Sequence, residues 1–348
     1  MHLELLQSLY SGQSRVTHED HIYRLMLADL EHSSISPQLY QRLKESGTLH
    51  QVPDFFRKGL QAEHERALFQ NLFIRSEEEI IRTLFEERRI EAVPLKGTRF
   101  AERCFGHIGA RATSDIDLLI RPSDIQKAIV SLQSIGYQEE GDDDEGHFHF
   151  SLSKPIESSN QSIRIELHWS LVKEQSSRLQ MDHFWEETTP INGGAFVQEL
   201  SIPHTFYAIC LHGANHRMDS LKYVLDIVQM LERFSDQIDF EKLFEQAKRD
   251  MVYRRVHFAL SVAYRLFPHL QQVKPLRVDR VSSLWDYSMI RSTKSWSENI
   301  RFLLFVTVVY VWVYDRWRFR IQAIRMLFAD PSSRLTGRIG KYLGRQRT

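Results

Sequence analysis

Asp115 and Asp117 stand one residue apart in DIDLLI, a run whose branched apolar residues predict a β-strand. Side chains alternate along a strand, so both carboxylates project from the same face. Two carboxylates held together repel unless a cation lies between them, and hard oxygen ligands of this kind suit magnesium or manganese. An Asp-x-Asp pair by itself also ends many exposed strands, so its neighbours decide its weight. Upstream, Leu95-Lys96-Gly97-Thr98 puts a glycine and a hydroxyl residue at a strand-to-helix junction, where backbone N–H groups and the helix dipole can receive phosphate. Downstream, Ile163 to Trp169 alternates: Arg164, Glu166 and His168 share one face, and Ile165, Leu167 and Trp169 share the apolar other. Glu166 is therefore expected to be a third carboxylate aimed away from the core, with Trp169 in the core.

Elements on either side must hold these groups in place. From residue 1 to about residue 89 apolar residues recur at three and four positions, as in HERALFQNLFIRSEEEIIRTLFEERR, which predicts helix. The texture then changes. EAVPLKG reads as a short strand, TRFAERCF as a short helix and DIDLLI as the next strand. SDIQKAIVSLQSIGY reads as a helix with Ser123 as its cap and Gly136 as its stop. HFHFSLSK and SIRIELHWSL, separated by the turn-rich PIESSNQ, predict an antiparallel pair and hence a mixed sheet. After Gly193-Gly194 the pattern returns to helix, starting near Pro203 and running on through TFYAICLHGANHRMDSLKYVLDIVQMLERF. The expectation is an α+β fold: a helical segment over 1–89, a small mixed-sheet core over 90–194, and a helical domain with a basic tail over 195–348.

The stretch LKGTRFAERCFGHIGARATSDIDLLI, followed by IELHWSL, resembles the nucleotidyltransferase superfold of DNA polymerase beta, and within it a poorly characterised bacterial branch that opens on leucine-lysine-glycine. The helical stretch TFYAICLHGANHRMDSLKYVLDIVQML is similar to the same branch, so the likeness covers about residues 91–232. It implies a transferase that moves a nucleoside monophosphate from a nucleoside triphosphate to a hydroxyl acceptor. Asp115, Asp117 and Glu166 would hold Mg2+ or Mn2+, which activates the acceptor hydroxyl and steadies the pyrophosphate leaving group. Lys96, Gly97, Thr98, Arg111 and Ser114 would line the nucleotide, with Arg99 a further phosphate partner and Arg111 the best placed, just ahead of the aspartate strand. The family's second glycine-or-serine position is Thr98 here, which keeps the hydroxyl and adds a methyl group. His168, His212, His216, Lys222 and Asp226 are candidates for an acceptor pocket. His212 and His216 lie one helical turn apart but lack the glutamate of an HExxH zinc motif. The acceptor itself, whether small molecule, peptide or glycan precursor, is not readable. The alternative is a silent nucleotide-binding or scaffold module of a biosynthetic or membrane-associated complex.

Composition sets limits. Forty-five lysines and arginines balance 45 aspartates and glutamates, so no global field recruits a polyanion. A local patch remains: from Asp315 to Thr348 nine basic residues face two aspartates, a tail suited to anionic membrane or nucleic acid. Cys104 and Cys210 are the only cysteines and form no disulfide framework or zinc spacing. With no signal-peptide pattern at the N-terminus, a cytoplasmic protein is expected. The acidic run EEGDDDEG lacks the alternating ligands of a calcium loop and reads as a solvated turn. The apolar run Phe302–Tyr314 is shorter than the ~20 residues of a membrane span and is expected to be a buried helix.

Overall fold

The computed structural model describes residues 2–12, 19–30, 34–140, 148–156, 161–278, 280–285, 308–309 and 311–321. The acidic run over 141–147, most of the run 302–314 and the tail from 322 onward lie outside these residues. Val309 and Val313, which lie within them, pack into the helical core.

Four helices come first: α1 (His2–Tyr10), α2 (Asp20–Leu30), α3 (Ser36–Glu45) and α4 (Asp54–Arg88). The 35 residues of α4 bury Leu60, Ala67, Asn71, Ile74, Ile81 and Phe85 along one side, the helical spacing read in the sequence. Arg89 ends it with φ 53° in the left-handed region. Then follow β1 (Ala92–Pro94), α5 (Thr98–Phe105), β2 (Asp115–Ile120), α6 (Ile125–Gln133), β3 (Gln138–Glu139), β4 (His149–Pro155) and β5 (Ser162–His168). A short α7 (Asp182–Glu186) and the hairpin β6 (Thr188–Pro190) and β7 (Gln198–Leu200) lead into α8 (Ile202–Asn215), α9 (Leu221–Phe234), α10 (Phe240–Arg249) and α11 (Tyr253–Leu266).

The main sheet has the order β1-β2-β5-β4-β3 and is mixed: β2 and β5 run parallel, and every other neighbouring pair is antiparallel. Its two faces carry different chemistry. Ile116, Leu118, Ile120, Ile163, Ile165 and Leu167 pack against Ile74, Ile81 and Phe85 of α4 and Ala128, Ile129 and Leu132 of α6. The opposite face carries Asp115, Asp117, Glu166 and His168, with Val93 and Leu119 joining a larger helical core. That core unites α1, α2 and α3 with α8, α9 and α11, so the first and last helical segments pack together. Among the described residues no helix is long and apolar enough to cross a membrane.

Three local readings are corrected. A 3-10 turn over Pro122–Asp124 precedes α6, and its N-cap is Asp124 with no side-chain bond, so Ser123 does not cap the helix. The helix expected to run unbroken to Phe234 divides at His216: Arg217 and Met218 adopt φ 56° and 53°, and the Ser220 hydroxyl restarts the helix by accepting from the Lys222 N–H. Trp169 lies beyond the end of β5, is only half-buried and belongs to neither apolar core.

Candidate active site

The parallel pairing of β2 with β5 sets Asp117 beside Glu166 and Asp115 beside Arg164. One oxygen from each of Asp115, Asp117 and Glu166 can be chosen so that all lie within 4.8 Å of one another. Asp117 is buried, whereas Asp115 and Glu166 are half-buried at the open side. Just past β1, the Leu95 N–H donates to the Asp117 carbonyl at 3.0 Å, which carries Lys96 to the same point.

Lys96 and His168 sit among these carboxylates. Lys96 Nζ is 3.0 Å from Asp117 Oδ2. His168 Nε2 is 3.1 Å from Asp117 Oδ1 and 3.4 Å from Glu166 Oε2. Burial by itself would raise the Asp117 pKa, but Lys96 and His168 outweigh it and hold the carboxyl well below its usual range. For Glu166, burial is likewise overcome, mainly by its hydrogen bond from His168, and its pKa falls. Lys96 and His168 respond in kind: desolvation would lower both pKa values, and the neighbouring carboxylates raise them. Asp117 and Glu166 are thus drawn towards their charged forms by the lysine and the histidine between them.

The residues fit a divalent cation. Asp117 Oδ2 is fully buried and has no aligned hydrogen-bond donor among the described residues, because the Lys96 contact is an ion pair without hydrogen-bond geometry. Three hard oxygen donors and this unsatisfied lone pair form a set that Mg2+ or Mn2+ would complete.

Behind the cluster, Arg111 Nε and Nη2 donate to Asp226 Oδ1 and Oδ2 at 2.7 and 2.8 Å. Their side chains are 2% and 1% exposed. The sequence places Arg111 at a phosphate and Asp226 at an acceptor; in the structure the two pair with each other in the interior. Lys222, one turn before Asp226, has no such match. Burial first, then the charge of Arg111, lowers its pKa from 10.5 to about 7, while Asp226 and Asp115 oppose the shift.

The glycine-threonine turn is also redirected. Gly97 adopts φ 100° and precedes α5, as the sequence suggests, but the buried Thr98 hydroxyl donates to Glu78 of α4 and accepts from Arg75 Nε at 3.3 Å. A protein carboxylate therefore occupies the start of α5. Burial raises the Glu78 pKa, and hydrogen bonds from the Thr98 hydroxyl and backbone oppose the rise. Arg99 points to Asn192, with Nη2 3.4 Å from Oδ1. Ser114 is exposed, and its hydroxyl donates to Asp115 Oδ1 at 3.1 Å.

His212 and His216 form a ring cluster with Tyr223, in which His216 stacks on Tyr223 at 5.0 Å between centroids. His212 Nε2 reaches to 3.5 Å from Lys96 Nζ. Burial, aided by Lys96, lowers the His212 pKa far enough to keep its ring neutral. Among the described residues neither histidine joins a group able to hold a metal. The sequence reading passed over His149, opposite His168 in the β4–β5 register, and gave no role to Arg164, which lies 3.6 Å from Glu166 Oε1. Alternation of HFHFSLSK against IRIELHW was the available signal for both.

A family model described as an uncharacterised nucleotidyltransferase matches residues 23–268. Neither a curated protein nor a solved structure matches the chain.

Proposed function

The chain belongs to the uncharacterised nucleotidyltransferase family, and we propose that it transfers a nucleoside monophosphate from a nucleoside triphosphate to a hydroxyl group, releasing pyrophosphate. The observation that carries this reading is the convergence of Asp115, Asp117 and Glu166 on one face of two parallel strands. In it, Asp115, Asp117 and Glu166 would hold Mg2+ or Mn2+. Such ions neutralise a triphosphate and lower the pKa of a hydroxyl bound to them.

The chain's own groups do the rest. Lys96, in ion-pair contact with Asp117, would supply a positive charge to the phosphates. Burial and the charge of Arg111 lower the Lys222 pKa to about 7, and a phosphate oxygen beside it would favour the ammonium form. His168 fixes the orientation of Asp117 and Glu166 through Nε2. The stacked His216 and Tyr223 offer a flat wall for a base or an acceptor ring. The acceptor is a small molecule, peptide or glycan precursor, and the cytoplasm and an anionic surface for the basic tail belong to the same proposal. A second reading, nucleotide binding without turnover, draws on one observation: Glu78 already fills the start of α5.

The test is release of pyrophosphate and transfer of label from each α-labelled nucleoside triphosphate to components of a cell extract, with Mg2+ or Mn2+. Label that disappears in Asp115→Asn and Asp117→Asn supports transfer. Triphosphate binding with no pyrophosphate released favours the second reading.

A further inference from the structure

Across the antiparallel pair β4 and β5, His149 lies opposite His168, and Glu166 sits two residues before His168 on the same face. The two imidazole rings approach to 5.1 Å between centroids at an interplanar angle of 41°. A ring nitrogen of each histidine and an oxygen of Glu166 all come within 4.8 Å of one another. The ordinary explanation is aromatic packing, since Phe148 touches both rings at 5.3 and 5.8 Å. Two observations go beyond packing. His168 Nε2 is held by Asp117 Oδ1 at 3.1 Å and lies 3.4 Å from Glu166 Oε2, while its Nδ1 is buried without a hydrogen-bond partner among the described residues. A carboxylate on one ring nitrogen and an unused lone pair on the other is how metal-binding histidines are oriented. Arg164, the cation nearest Glu166 from the other side, is anchored away from the histidines by Glu140 Oε2 at 3.0 Å and the Ser151 hydroxyl at 3.1 Å.

We propose that His149, His168 and Glu166 form a second cation site that shares Glu166 with the carboxylate set and takes a borderline transition-metal ion such as Zn2+ or Co2+. Two imidazoles and one carboxylate match the ligand preference of these ions and not that of Mg2+, which demands oxygen donors. A shared carboxylate is also the simplest bridge between two neighbouring cations. The face would then discriminate by position: oxygen-only ligands on the β2 side, nitrogen ligands on the β4 side. The site needs no nucleotide, so it stands or falls apart from the transfer reaction.

The experiment is titration of the full-length, chelator-treated protein with Co2+, without nucleotide, following the visible ligand-field bands that nitrogen ligation produces. His149 is half-buried, so His149→Ala should keep the fold, with His149→Gln as a second variant of closer size, both checked by far-ultraviolet circular dichroism. The expected result is loss of affinity by about tenfold or more in both variants, with Asp115→Asn within about threefold of the wild type. Excess Mg2+ should not displace the cobalt. Equal cobalt affinity in wild type and folded His149 variants, or the absence of nitrogen-type bands, would overturn the site. Loss of cobalt in Asp115→Asn alone would assign the ion to the carboxylates and overturn it equally.

Discussion

Two ion pairs lie behind the same strand, and they have opposite characters. Arg111 and Asp226 are almost wholly enclosed and matched fork to fork, with both carboxylate oxygens accepting from the guanidinium. Lys96 and Asp117 are joined at one contact, the lysine is 16% exposed, and Asp117 Oδ2 has no aligned donor among the described residues. A closed, matched pair has nothing left to offer a ligand and steadies the junction of α9 with the segment before β2. A loosely matched pair can be parted by a ligand carrying its own charges. Burial of charge is thus a poor guide to function, and completeness of pairing is a better one.

This contrast can be broken at four places. Arg111→Met leaves Asp226 charged and alone in the interior and should cost about 3–5 kcal/mol in denaturant unfolding, with Arg111→Met/Asp226→Leu recovering most of it. Lys222→Met should stabilise the protein by about 2 kcal/mol or more at pH 7. The sign follows from the pKa falling from 10.5 to about 7 on folding: between these values the unfolded chain binds the proton more tightly, so wild-type stability rises with pH across that window. The advantage of Lys222→Met should therefore shrink towards pH 10 when the two unfolding curves are compared. Gly97→Ala should cost about 1–2 kcal/mol, because φ 100° suits glycine and the new Cβ would meet Glu78 Oε1 at 2.9 Å. Asp115→Asn should change stability by less than about 1 kcal/mol, since Asp115 is half-buried and its carboxylate is not locked in a matched pair. Yet it should abolish metal-dependent label transfer.

What was legible in the sequence is what alternation and local punctuation control. DIDLLI and TRFAERCF coincide with β2 and α5, and the β4–β5 pair falls where the alternation of each segment placed it. The facing of Asp115, Asp117 and Glu166 followed from strand geometry, and the structure brings them together. What escaped depends on contacts far apart along the chain. Nothing local tells Arg111 that it will meet Asp226 and not a phosphate, or Thr98 that a long helix will present Glu78 to its hydroxyl. The break at Arg217 and Met218 was hidden because neither residue type favours a left-handed backbone. Trp169 misled because alternation was carried one residue past the end of its strand.

The most direct measurement is equilibrium binding of a non-hydrolysable nucleoside triphosphate, with and without Mg2+ or Mn2+, to the wild type and to Asp117→Asn. The account predicts that the wild type binds the nucleotide only with the cation and that Asp117→Asn loses this dependence together with most of its affinity. Equal binding with and without the cation, or tight cation-dependent binding by a folded Asp117→Asn, would contradict a nucleotide site built on these carboxylates.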